Sequence, residues 1–176
     1  MLVSSEAFQK PWMFVTAIFL HADFLHLGYN MLALFFFGLT LESIVGARIF
    51  LAIFFLVGID ASFVSVFFYE RALGASGAIY GLIGSLAILR PRMVAFALGV
   101  PMPMLAAAFA YFVLDILGVF YPTNVANLAH ITGLFVGALA GLLLRKKFPE
   151  PRKGKEKAVS ERELDEWERK WMRLFR

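Results

Sequence analysis

Apolar runs long enough to cross a bilayer, separated by short polar breaks, set the first limit on this chain. Crossing the hydrocarbon core as a helix takes about 20 apolar residues. Several runs approach that length within 176 residues that are 60% hydrophobic. In lipid every backbone polar group needs a partner inside the protein, and a helix provides one within a single segment. A soluble core of this size needs far less apolar sequence. The expected fold class is therefore an all-α, polytopic membrane protein forming one helical bundle.

Five spans are expected, at about residues 25–44, 49–69, 76–90, 93–118 and 126–144. Gly46-Ala47-Arg48, Glu70-Arg71, Arg90-Pro91-Arg92 and Tyr121-Pro122-Thr123-Asn124 punctuate them. Arg48, Arg90, Arg92 and Arg145-Lys146-Lys147 fall on one side, Lys10 and Arg71 on the other. Basic loops mark the cytoplasmic face. The C-terminus is thus expected in the cytoplasm, in a multi-pass protein of the cell membrane. The N-terminus is then outside, yet the opening MLVSSEAFQK has no signal-peptide apolar stretch. The bundle is expected to be one helix short. From Arg145 onward the chain has 12 basic and 7 acidic residues. Topology explains this basic excess without nucleic-acid binding.

Residues 1–147 are read as the transmembrane domain and 148–176 as a charged cytoplasmic tail. In the tail, Ser160 and Glu163 have capping-box spacing. Leu164, Trp167, Trp171 and Leu174 make one apolar stripe, giving an amphipathic helix over about 160–176. With no cysteine, disulfides and thiolate chemistry drop out. No cofactor is expected. The three histidines form no HExxH, and His21 and His26 are poorly spaced for one helix face, so no metal site is expected.

Depth singles out a site. At about 1.5 Å per residue, Ser76 lies roughly 21 Å above Arg90, His130 roughly 22 Å above Arg145, and Asn30 roughly 24 Å above Gly46. In a core about 30 Å thick, these polar side chains on three helices reach one buried layer. The backbone entering Ser76 from Glu70-Arg71 must descend without helix, which membranes tolerate only inside protein or beside a wet cavity. Gly74 and Gly77 suit that entry.

Ser76 needs a base to become a nucleophile, and His130 is the candidate. A small packing serine is the ordinary alternative. An ionisable residue within a span is costly and is usually functional. His26 and Asn30, four apart, share a helix face and could stabilise an oxyanion together with the Ser76 backbone N–H. Interhelical hydrogen bonding would use them equally well. Tyr80, one turn after Ser76, could pack on the imidazole or simply fill the core. Gly133, Gly137 and Gly141 form a small-residue ridge after His130, expected to bring its helix against the serine helix. Glu42 reads as a brace of the cytoplasmic turn. Asp60 is mid-span and needs a polar partner. Asp115 is a further acid without an assigned role.

Together these residues resemble the rhomboid family of intramembrane serine proteases. The resemblance rests on His21-xxxx-His26-xxx-Asn30, Gly74-Ala75-Ser76-Gly77 with Tyr80, and Ala129-His130-xx-Gly133-xxx-Gly137, with Glu42 and Gly46 between the first two. The motifs run in the family's order over roughly residues 12–145. Trp12-Met13 departs from the family's Trp-Arg, and the family's first transmembrane helix is missing before Trp12. The resemblance implies a six-helix architecture, here with five, and a serine–histidine dyad without a third acid. It implies Ser76 as nucleophile, His130 as general base and then acid, His26, Asn30 and the Ser76 N–H as oxyanion hole, and Tyr80 stacked on His130. Gly74, Gly77 and Gly133 would support the site. Partners would be the lipid bilayer and transmembrane segments of substrate proteins. A non-cleaving rhomboid-like scaffold or chaperone that binds membrane helices is the alternative, and a small transporter using Asp60 and Asp115 is a third reading without a supporting repeat.

Overall fold

The computed structural model describes residues 1–121, 125–151 and 165; the amphipathic helix expected at about 160–176 lies outside them. The chain is mostly helical. A short helix α1 (Met13–Thr16) follows strand β1 (Leu2–Val3). The long rod Phe24–Val45 then runs as α2 (Phe24–Ala33), a π-helical segment (Leu34–Gly38) and α3 (Leu39–Val45). Next come α4 (Ala47–Phe68), strand β2 (Arg71–Ala72), α5 (Ser76–Leu89), strands β3 (Val94–Ala97) and β4 (Val100–Pro103), α6 (Met104–Phe120) and α7 (Asn127–Leu144). The rod, α4 and α7 are long and apolar enough to cross a membrane; α5 and α6 are shorter apolar helices.

The spans fall close to their expected places except the fourth, which the structure corrects. Residues 93–103 are not helical; α6 begins at Met104. β3 and β4 pair as an antiparallel hairpin from Val94↔Pro103 to Ala97↔Val100. Leu98 and Gly99 both have positive φ, 52° and 81°, as the tight turn that matches strand twist demands. Pro101 and Pro103 lack the N–H that an extended helix would use. The hairpin's outward residues Val94, Phe96, Leu98 and Val100 are apolar and exposed, so by composition the hairpin reads like the start of a span.

Helix α5 is the centre of the bundle. It is apolar on every face, the pattern of a helix enclosed on all sides. Leu82 and Leu86 are fully buried, with Ile79 and Ile83 nearly so. Its tightest neighbour is α7, and the contact is made by backbone. A methyl group on Gly133 would overlap the carbonyl oxygen of Gly77, and one on Gly137 that of Gly81. Ser85 Oγ, also buried, donates to the Gly137 carbonyl at 2.8 Å. Between membrane helices no hydrophobic drive exists, so such close van der Waals approach and interhelical hydrogen bonds carry the association. The expected glycine ridge therefore faces the serine helix.

The N-terminal segment closes the end of the bundle that carries Ser76. β1 pairs antiparallel with β2 (Leu2↔Ala72). The Ser4 hydroxyl donates to the Tyr69 carbonyl, and the Tyr69 hydroxyl accepts from Leu128 N at 2.9 Å. At the other end, Gly46 has φ 82° and ends α3, its N–H donating to the Glu42 carbonyl at 2.7 Å. The expected brace at this turn is thus the Glu42 main chain, since among the described residues its carboxylate makes no hydrogen bond or ion pair. Asp60, for which a polar partner was expected, makes none among the described residues either. Its half-buried place on α4 leaves the carboxylate only partly enclosed.

The seam predicts a contrast between two glycines. Gly137→Ala should cost roughly 1–3 kcal/mol, as overpacking does. Gly28→Ala, where nothing lies within 4 Å, should hold or raise stability. Thermal unfolding in detergent checks this; equal midpoints for the two variants would remove the seam from its structural role.

Candidate active site

Ser76 is the first residue of α5. The chain reaches it through Gly74, whose φ of 115° only glycine adopts without strain, and whose N–H donates to the Ala17 carbonyl at 2.9 Å. The first N–H groups of a helix have no intrahelical acceptor. Nor does any side chain cap this helix. The Ser76 N–H therefore stands beside its own hydroxyl with the positive end of the helix behind it.

Ser76 Oγ lies 2.7 Å from His130 Nε2, a hydrogen bond between the first turns of α5 and α7. His130 is buried. Tyr80 lies on its ring face, with centroids 4.3 Å apart and planes 14° from parallel. The two residues matched by depth are thus adjacent in space. Sequence counting alone left their facing undetermined; the glycine seam provides it.

On its other nitrogen, Nδ1, His130 meets Asp115 Oδ1 at 2.9 Å. The resemblance implied no acid here, and this departs from it. Asp115 is buried on α6. A signal for it did exist in the sequence. Asp115 and His130 stand almost equally far from the middle of the Tyr121–Asn124 break, and residues so placed in a helical hairpin come level. Gly118 allows the two helices to close there, since a methyl group on it would come within 2.6 Å of the Asn127 side chain.

His26 and Asn30 approach from α2. His26 N donates to Asp23 Oδ1 at 2.7 Å, which caps the helix. The ring's Nδ1 accepts a long contact from Ala22 N at 3.4 Å, which favours the tautomer protonated on Nε2. That nitrogen lies 2.9 Å from where a Cβ on Gly74 would stand, with Ser76 Oγ 3.8 Å from the same point. Gly74 is therefore needed twice, for its dihedral and for the imidazole beside it. Asn30 is buried and donates from Nδ2 to the His26 carbonyl at 2.8 Å. Its Oδ1 has no partner among the described residues. The structure shows an in-helix hydrogen bond at Asn30 and no hydrogen bond from it to Ser76. His21 packs edge-on against the His26 ring at 5.1 Å. Among the described residues no cluster of ligands could hold a metal.

Beside Ser76 lies a cavity of about 30 Å³ lined by Ala17, Ser62, Ser65, Gly74 and Gly77 among others. A water needs roughly 10–15 Å³ of such space. The wet pocket expected at serine depth thus has room in the fold.

This arrangement defines a class: a helical membrane protein with a serine paired to a histidine at the N-terminus of its central helix. The chain belongs to the rhomboid family, since residues 9–147 match the Rhomboid domain. It is 31% identical over 137 residues, or 77% of its length, to "RHOMBOID-like protein 6, mitochondrial" of Arabidopsis thaliana. It is 28% identical over 170 residues, or 90% of its length, to "Rhomboid protein 1, mitochondrial" of Saccharomyces cerevisiae. Against "Rhomboid protease GluP" of Bacillus subtilis it is 33% identical over 137 residues, 76% of its length. The matched regions span 44%, 49% and 26% of those relatives, so the chain corresponds to less than half of each. The family and the apolar helices support a membrane location, and the plant and yeast relatives are named mitochondrial.

Gly74→Ala is expected to destabilise the loop by about 1–3 kcal/mol through its dihedral and to push the His26 ring away. A lowered unfolding midpoint together with a shifted His26 imidazole resonance checks this; an unchanged resonance would detach Gly74 from the site.

Proposed function

We propose that this chain is an intramembrane serine endopeptidase that cleaves transmembrane segments of other membrane proteins. The observation that carries the reading is the 2.7 Å hydrogen bond from Ser76 Oγ to His130 Nε2 at an uncapped helix N-terminus. Similarity to relatives named as rhomboid proteases supports it.

His130 takes the hydroxyl proton on Nε2 as Ser76 Oγ bonds to the scissile carbonyl carbon. The carbonyl π pair moves onto oxygen, where the Ser76 N–H, His26 Nε2–H and the Asn30 amide are the donors offered to that charge. His130 then passes its proton to the leaving amine as the C–N bond breaks, leaving an acyl-serine. A water deprotonated by His130 adds to the acyl carbon; the C–Oγ bond then breaks, releasing the new carboxyl terminus, and the proton on His130 returns to Ser76 Oγ. The cavity beside Ser76 offers such a water a place at membrane depth. Tyr80 keeps the imidazole plane fixed during both transfers.

A fluorophosphonate probe reacts with activated serines and tests this directly on detergent-solubilised protein. The wild-type chain is expected to label, with Ser76→Ala abolishing labelling and His130→Ala reducing it at least ~1,000-fold, the scale on which catalytic serine–histidine pairs respond. A folded wild-type protein that neither labels nor cleaves a reconstituted transmembrane substrate would overturn the reading in favour of a helix-binding scaffold.

A further inference from the structure

We propose that Asp115 is a positioning residue for His130, so that Ser76, His130 and Asp115 form one hydrogen-bonded line across α5, α7 and α6. The inference rests on the protease reading above and adds to it a residue whose work is done through the imidazole. Three observations carry it. Asp115 Oδ1 is 2.9 Å from His130 Nδ1, with the two side chains only 5% and 10% exposed. The opposite ring nitrogen is the one that faces Ser76. The Tyr80 ring covers one face of the imidazole, stacked at 4.3 Å and 14°, and holds its plane in line with both partners.

A neutral imidazole carries one proton on two nitrogens, and a carboxylate can only accept. Beside Asp115 the proton therefore sits on Nδ1. Nε2 is left bare, the only form that can receive the Ser76 proton. When Nε2 takes that proton the ring becomes a cation, and the carboxylate 2.9 Å away stabilises it. Asp115 itself neither gains nor loses a proton in the cycle.

A purely structural tie between α6 and α7 is the competing account, and the contact fits it poorly. Burying a carboxylate is expensive, and apolar residues of similar volume often join helices as well or better. Asp115 Oδ2 is also buried and has no hydrogen-bond partner among the described residues. The 2.9 Å hydrogen bond this carboxylate does make is to the histidine.

The test measures tautomer and reactivity separately on the full chain in detergent. In protein labelled with ¹⁵N-histidine, two-bond couplings should show His130 protonated on Nδ1 and bare on Nε2. Asp115→Asn should lose that uniform state and lower the fluorophosphonate labelling rate of Ser76 at least ~100-fold; in soluble serine proteases the matching change costs about 10,000-fold. Asp115→Glu, which keeps a carboxylate, should recover part of the rate. Wild-type His130 protonated on Nε2 would overturn the proposal, and this readout holds even if the variants do not fold. So would a folded Asp115→Asn or Asp115→Ala protein that labels at the wild-type rate. Wild-type protein that shows the Nδ1–H tautomer but never labels overturns the protease reading instead, while supporting the tautomer assignment to Asp115.

Discussion

The contact on which the rest depends is backbone against backbone, where α5 and α7 meet at Gly77, Gly81, Gly133 and Gly137. Side chains can change rotamer; a carbonyl set against a glycine Cα cannot. The separation of Ser76 from His130 is fixed by the two helix axes, and the glycines fix the axes. Tyr80, Asp115 and the loop through Gly74 then refine an alignment that is already within hydrogen-bond distance. Lipid gives no solvent drive to squeeze helices together, so this steric fit is the means available.

Much of this was legible from residue types and spacing, because membrane depth converts sequence position into height. Ser76, His130 and Asn30 could be placed in one layer by counting from the basic ends. The glycine ridge could be assigned a partner because only small residues permit such approach. Height says nothing of azimuth, however. That Asn30 would turn its amide onto the His26 carbonyl depends on rotamer and local packing, and no count gives it. The hairpin at 94–103 was hidden for a different reason. Hydropathy reads how apolar a residue is, and Val94, Phe96, Leu98 and Val100 are as apolar in a strand as in a span. Leu98-Gly99, with Pro101 and Pro103 behind it, held the turn signal, but the apolar run masked it.

Asp115 lies outside the family pattern of serine and histidine. Once a serine and histidine are expected to act without an acid, an aspartate one helix away reads as unrelated. The helical hairpin formed by α6 and α7 places it behind the imidazole regardless. The site also separates its roles by helix. α5 provides the hydroxyl and the N-terminal N–H, α7 the imidazole, α6 the carboxylate, and α2 the His26 ring. No two neighbouring residues supply the pair itself, so the geometry exists only in the assembled bundle.

One feature of the rod carrying His26 and Asn30 governs how that fourth contribution is aimed. Between the outer α2 and the inner α3 lies the π-helical segment Leu34–Gly38. A π turn holds roughly one residue more than an α turn, and each residue of an α-helix turns the chain by about 100°. The segment is therefore a phase shifter. Leu41 and Val45 lock the inner half into the core, and the number of residues in the π segment sets the compass bearing of the outer half. The direction in which His26 faces Ser76 is decided about two turns further along the rod, by a winding number.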